Sequence, residues 1–229
     1  MALNNFGSGG GASPILTSHT ADGDTLSHWT FGTDLTDAVG TADLAGTYIE
    51  TTQDGNDNAL LTGYGTFVKA GPGASYTGLH GAMSFGMLIR VDALPASYCA
   101  LFSVQQLGGG AGSANNVVFS VRQTSGGTIT WVQEHGSKVA SSHAFTQTVP
   151  VGEWCWIGAS RNAAGTEVKL AVNSVEETSG ALTQGDGAGN ADILVATDWD
   201  SRLVSTAVKS IILKDVASDL SALRAETGI

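Results

Sequence analysis

Positive charge is scarce in this sequence. Ten Lys plus Arg stand against 21 Asp plus Glu among 229 residues, for a formal net charge of −11. A surface that tracks phosphates needs clustered cations, and no basic run occurs here, so the composition argues against nucleic acid as a partner. An anionic membrane surface would repel the chain for the same reason. The acidity reads instead as a solubility device, or as adaptation to a salty medium that screens self-repulsion. Long hydrophobic runs are missing too: no stretch approaches the ~20 apolar residues of a membrane span. The opening MALNNFGSGGGASPILTS has neither a positive n-region nor a continuous apolar h-region, so no secretory signal is expected and synthesis in a cytoplasm is. Cysteine is limited to Cys99 and Cys155, which make no CxxC or Cys/His ligand pattern. Free buried thiols are the expected state, with a single disulfide as the alternative. Proline is nearly absent, at 4 residues, and charged residues make up only 14%.

What remains is apolar and glycine-rich, with 42% hydrophobic residues and 31 glycines. That is enough to bury a full core, and many turns with few helices point to β-structure. The length suits one generous all-β domain as well as two small ones. The first 25 residues stand apart. GSGGGAS (7–13) has flexible-linker composition, and Phe6, Ile15 and Leu16 are isolated apolar anchors around it. A glycine-rich terminus frays unless tied down, so this arm is expected to dock through those anchors on its own domain or on a neighbouring subunit.

From Leu26 onward, strand-like runs recur between glycine- or Asx-rich breaks. They are LSHWTF (26–31), GTYIE (46–50), ALLTGYGTFVKA (59–70), AMSFGMLIRVDAL (82–94), YCALFSVQQL (98–107) and NNVVFSVRQT (115–124). GTITWVQEH (127–135), EWCWIGASR (153–161), TEVKLAVNS (166–174), ADILVAT (191–197) and TAVKSIILKDV (206–216) follow. Period two puts Met83, Phe85, Met87, Ile89 and Val91 on one face, a pattern that the 100° step of a helix would scatter. In EWCWIGASR the same parity separates Trp154 and Trp156 from Glu153, Cys155 and Ile157. Hairpins are expected to turn at Ser125–Gly127 and at Asn162–Gly165, with a longer glycine-rich loop over 179–190. Only the end reads as helix, with Ser218 as N-cap, Asp219 in the first turn, Leu220 and Leu223 on one face and Gly228 as terminator. No 30–45-residue repeat is visible, which disfavours propellers and solenoids. The expected fold is all-β: a two-sheet antiparallel jelly-roll sandwich over 26–229, with one short C-terminal helix and an N-terminal arm over 1–25.

The order of these motifs resembles the concanavalin A-like (laminin-G-like) jelly-roll superfamily. LSHWTFGTDLTDAVGTADL resembles its opening strand and D-x-x-G segment, and MSFGMLIRVDAL its "tisaWvrv" strand. GEWCWIGASRNAAGTEVKLAVN resembles the G-x-W … G-x-v-x-L-Y-v-N-G hairpin, and VKSIILKDVASDLSALRAE the closing strand and helix. The resemblance spans about residues 26–226 and rests on structural motifs, so it specifies fold more than function. Two departures stand out. Asn173-Ser174 replaces the family's Asn-Gly, so the tight turn is expected to be lost, and Gly86-Met87 stands where a tryptophan is common.

Glucanases of this fold carry E-x-D-x-x-E along one strand, because retaining hydrolysis needs two carboxyl groups about 5 Å apart. No glutamate here has that spacing, and Glu176-Glu177 would point to opposite faces of a strand. G-x-S-x-G does not occur, and the five histidines (19, 28, 80, 135, 143) match no metal-ligand spacing. Cys155, between two tryptophans, is expected to be inert because an apolar setting raises a thiol's pKa. No enzyme activity and no cofactor are expected. The resemblance does imply calcium as a candidate, and Asp54, Asn56 and Asp57 in DGNDN supply the oxygen ligands for it, an Asx-rich turn being the alternative. For sugar binding, which pairs an exposed aromatic with carboxylates, the candidates are Trp199 between Asp198 and Asp200, and Trp131.

The leading expectation is a non-catalytic structural or interaction module. By analogy, single laminin-G-like domains of this size resemble virion components of tailed bacteriophages, such as capsid decoration proteins or tail and fibre subunits. That implies a virion location after assembly in a host cytoplasm, homo-oligomerisation and other virion subunits as partners. Phe6, Ile15 and Leu16 would be the partner contacts. The alternative is a carbohydrate-binding lectin-like module with a glycan as partner, and the third reading is an inactive relative of a glycosidase.

Overall fold

A computed structural model of the chain describes residues 16–31, 35–46, 49–53, 56–61, 68–70, 79, 81–106, 116–135, 139–184, 192–196 and 206–229. In chain order the strands begin with β1 (Thr25–Thr30), β2 (Leu44–Gly46), β3 (Ile49–Gln53), β4 (Asn56–Leu61), β5 (Val68–Ala70), β6 (Met83–Val91), β7 (Tyr98–Gln106) and β8 (Asn116–Thr124). They continue with β9 (Thr128–His135), β10 (Val139–Thr148), β11 (Trp154–Arg161), β12 (Val168–Val172), β13 (Val175–Thr178), β14 (Asp192–Val195) and β15 (Thr206–Lys214), and helix α1 (Leu220–Ala225) follows. Two antiparallel sheets result. One runs β13-β12-β11-β6-β15-β4-β3 with β1 also on β15, and the other runs β10-β9-β8-β7-β14-β5-β2. Strands distant in sequence lie side by side, as β6 does between β11 and β15, so this is a jelly-roll-like sandwich and not a meander.

Side-chain parity builds the core. Met83, Phe85, Met87, Ile89 and Val91 of β6 point into the sandwich, as do Cys155, Ile157 and Ala159 of β11 and Val168, Leu170 and Val172 of β12. Rings run through the middle: Phe85 stacks on Phe102 at 4.5 Å, Phe102 lies 5.8 Å from Phe119, and Phe119 stacks on Trp131 at 5.1 Å. Each such ring contributes roughly 1.5–3 kcal/mol through burial alone. Cys99 and Cys155 are both buried and free.

The outer face of the α1-side sheet carries a second apolar layer. Leu88, Trp156, Ala171 and Ile212 point outward there and are covered by Leu16 and by Leu220 and Leu223 of α1. Two paired glycines make this layer fit: Gly86 lies opposite Gly158 across β6 and β11. A Cβ on Gly158 would fall inside the Trp156 ring, and one on Gly86 would sit 2.8 Å from His19 Nε2 and 3.3 Å from Ile212 and Leu223. Gly86 thus leaves a trough for groups from elsewhere in the chain. Gly86→Ala is expected to cost about 1–3 kcal/mol by overpacking, read as a lower urea midpoint with an unchanged slope.

The structure corrects two expectations and adds two strands. Asn173 takes the left-handed conformation (φ 53°) and Val172 pairs with Val175, so the tight turn survives without glycine. Its side-chain oxygen also accepts the Trp156 N–H at 2.9 Å, tying the turn to β11. The N-cap is Asp219 and not Ser218: Asp219 Oδ1 accepts from the N–H groups of Ser221 and Ala222 at 2.8 and 3.3 Å. The Ser218 hydroxyl instead meets Ser84 Oγ at 2.7 Å. The edge strands β10 and β13 escape the apolar-alternation reading. β10 has only Phe145 and Gln147 buried among its described side chains, and β13 has none buried.

Candidate functional site

On the outer surface beside α1 lies a groove of about 570 Å³. Its floor comes from outward positions at the edge of the α1-side sheet: Ser160 on β11, Lys169 on β12 and Glu176 on β13. These face outward because their neighbours Ala159, Val168 and Leu170 fill the core. Asn162 and Glu167, from the β11–β12 turn, close one end. Asn162 Oδ1 accepts the Thr166 N–H at 2.9 Å, which fixes that turn. The opposite wall is Ala217–Ser221, where the chain enters α1.

The groove is of mixed polarity and mixed charge. Glu167, Glu176 and Asp219 stand against a single amine, Lys169. The Ser221 hydroxyl, at 2.7 Å, together with the N–H groups of Ala222 and Ser221, holds the Asp219 carboxyl below the usual carboxylate range, and Lys169 adds to this. Hydroxyls, an amide, carboxylates and an ammonium make a surface that exchanges hydrogen bonds with a polyhydroxyl ligand. The lining contains no histidine or cysteine, and the Ser221 hydroxyl donates to Asp219 Oδ1. A second depression of about 600 Å³ lies where the sandwich edge opens between Thr146–Pro150 and the Val172–Val175 turn. Gln147 stitches its floor, accepting the Val172 N–H at 2.7 Å, and Val175 is 59% exposed on its rim.

The residues singled out from the sequence lie elsewhere. Trp131 is fully buried, stacked on Phe119, and its indole N–H donates to Gln133 Oε1 at 3.0 Å. It offers no face to a sugar, because β9 parity turns it inward with Ile129. Trp199, Asp198 and Asp200 lie outside the described residues, as do Phe6 and Ile15. Leu16 is 3% exposed and packs on its own domain in the layer over Trp156. Of the calcium candidates, Asp54 lies outside the described residues, while Asn56 and Asp57 belong to β4, paired with Gln53 and Thr52, and not to a loop. Among the described residues no group of three or more His, Cys, Asp or Glu is arranged to hold a metal ion. Burial pushes the Cys155 thiol up to about 12, with Glu153 adding to the shift, so this cysteine is inert. Lys169, Glu176 and Asp219 were not among the candidates: alternation in TEVKLAVN turns Lys169 outward, but nothing in the sequence brings these three together.

No family model matches the chain, and no curated protein matches it. Solved structures do. The Trypanosoma rangeli sialidase in complex with the inhibitor DANA superposes with a TM-score of 0.66 at 10% identity, over 94% of this chain and 35% of that one. The ligand-binding domain of Botulinum neurotoxin serotype D in complex with N-acetylneuraminic acid gives 0.67 at 13% identity, over 88% and 50%. The binding domain of Paraclostridial Mosquitocidal Protein 1 gives 0.64 at 10% identity, over 88% and 51%. The likeness is one of fold. It is the two-sheet antiparallel β-sandwich, and this chain spans a third to a half of the length of the proteins that share it.

Proposed function

We propose that this chain is a non-catalytic, lectin-like module that binds a glycan in the groove beside α1. The observation that carries the reading is the groove itself: about 570 Å³, outward-facing and lined by Ser160, Asn162, Glu167, Lys169, Glu176 and Asp219. That volume suits a small ligand, and the lining supplies donors and acceptors. The fold likeness supports it, since one neighbour is a ligand-binding domain in complex with N-acetylneuraminic acid. The groove's own charge points to a different sugar. Three carboxylates against one amine would repel a sialic acid carboxylate, so the favoured ligand is an uncharged or amino-bearing saccharide. The virion setting expected from the sequence, with its oligomer and its subunit partners, gains no support from these likenesses and forms no part of the reading.

A glycan array tests the reading. The wild-type chain is expected to retain at least one neutral or amino sugar class. Lys169→Ala, at an exposed position, is expected to weaken that binding about tenfold or more while leaving the melting temperature unchanged, as for loss of a charge-assisted hydrogen bond. Binding to no saccharide, or equal binding by Lys169→Ala, would falsify the assignment.

A further inference from the structure

We infer that His19 is a proton-sensitive latch: its neutral ring holds the segment from Leu16 to Asp24 against the α1-side sheet, and protonation releases that segment. The inference is independent of the glycan reading and needs no ligand.

The geometry at the ring carries it. His19 is 3% exposed, and its Nε2 accepts the Trp156 indole N–H at 2.9 Å. An indole nitrogen only donates, so Nε2 must be bare and the ring proton sits on Nδ1, 2.8 Å from Ser210 Oγ. A second proton would set N–H against N–H across 2.9 Å, with no acceptor between them. The ring has little room to turn away, since it lies over Gly86 in the trough bounded by Ile212 and Leu223. Positive charge is disfavoured from two further sides, by His28 on β1 and by Lys214 on β15. The carboxylates nearby are otherwise engaged: Asp22 pairs with Lys214 at 2.6 Å, and Glu226, just past α1, accepts the Thr20 N–H at 2.7 Å.

Other ties hold the segment besides those of Thr20 and Asp22: the Thr17 hydroxyl donates to the Glu226 carbonyl, and the Asp24 carbonyl accepts the Asp215 N–H at 3.2 Å. Leu16 packs in the outer layer, and the Thr17 N–H donates to the Thr227 carbonyl at 3.2 Å. The His19 N–H adds a bond to Ser210 Oγ at 3.3 Å. The His19 ring is the group that bonds the Trp156 indole N–H, so its release frees that ring and loosens the residues on either side of His19.

The direction with pH follows from linkage. Burial, then His28 and Lys214, lowers the docked His19 from its ordinary 6.5 to about 3. Above pH 6.5 the ring is neutral whether docked or released, and pH has no effect. Between 6.5 and about 3 only the released form takes up the proton, so the docking equilibrium shifts toward release by up to tenfold per pH unit. Below that, both forms are protonated and the slope ends.

Amide exchange of the full chain between pH 7.5 and 4, corrected for intrinsic rates, reads this out at Thr17, His19 and Thr20. Protection there is expected to fall by up to tenfold per pH unit below about 6.5, while amides of β6 keep theirs. His19→Gln can still accept from Trp156 and bond Ser210 but does not titrate, so its protection is expected to stay flat. Because that variant keeps Glu226, it also separates the latch from titration of that carboxylate. A flat wild-type profile, or the same slope in His19→Gln, overturns the inference. So does an NMR titration in which the His19 ring gains a proton near its ordinary pH while the three amides stay protected.

Discussion

Arg161→Ala is expected to lower stability by about 3–5 kcal/mol, the largest effect of any single substitution considered. Arg161 is completely buried at the end of β11, and no carboxylate among the described residues partners it. Its Nε donates to the Gly81 carbonyl at 3.0 Å, one Nη to Gln133 Oε1 at 3.2 Å and the other to the Leu79 carbonyl. The guanidinium also lies over the Trp131 ring, 5.8 Å from its centroid. Gln133 carries the network onward, donating to the carbonyls of Gly165 and Thr183 at 2.8 and 2.6 Å. Burial lowers the guanidinium to about 10, so it remains charged at neutral pH. Truncation strands the Gly81 and Leu79 carbonyls, each worth roughly 1–3 kcal/mol when left buried and unpaired, while Gln133 Oε1 keeps the Trp131 N–H, and it opens a cavity beside Trp131. Relief of the desolvated charge offsets part of this. Arg161→Lys should recover less than half, because an ammonium cannot reach three acceptors in one plane. The measurement is urea unfolding, and a loss below about 1 kcal/mol would show that the fork is not structural. Ser160 and Asn162 flank Arg161 and line the groove, so the same variant should also weaken glycan binding.

Asp37→Ala is expected to cost about 3 kcal/mol, through loss of a carboxylate that organises an entire turn. Asp37 is 5% exposed. Its Oδ1 accepts the N–H groups of His28, Val39 and Gly40 at 3.0, 3.1 and 2.9 Å, and its Oδ2 accepts that of Ala42 at 3.3 Å. The Ala42 carbonyl in turn takes the Trp29 indole N–H at 2.9 Å, which couples the turn to the core. Gly40 is required by the same packing, since a Cβ there would lie 2.5 Å from Asp37 Oδ2 and 2.6 Å from the Leu26 carbonyl. Asp37→Asn should cost less, keeping one oxygen for the Oδ1 bonds while turning an NH₂ toward the Ala42 N–H. Gly40→Ala should match Asp37→Ala in direction, and the double variant should lose less than the sum, because both break one turn. Additive losses would contradict this account of the D-x-x-G segment.

The strands that bury one whole face were legible in the sequence. MSFGMLIRV and WCWIGASR state their faces by parity alone, and the structure places Trp156 outside and Cys155 and Ile157 inside accordingly. Legibility fails where burial does not impose alternation. Exposed β13 has no inward apolar residue to mark it, and Asn56–Asn58 sit in β4 despite low strand propensity, because strand pairing outweighs local preference. Asn173 keeps its turn because asparagine tolerates the left-handed region. Trp131 could not be placed by composition alone, since the pairing of β8 with β9 is what turns it onto Phe119. The groove was the least legible feature. Glu167, Lys169, Glu176 and Asp219 are ordinary surface residues until the sheet edge and α1 bring them together.

The most direct test of glycan binding in that groove is NMR chemical-shift mapping as the chain is titrated with the saccharide that binds best on the array. Saturable shifts are predicted at Ser160, Lys169, Glu176 and Ser218–Ser221, with none at Thr146–Thr148 or Asn173–Val175. Shifts confined to the latter set, or no saturable shift at any saccharide concentration, would contradict it.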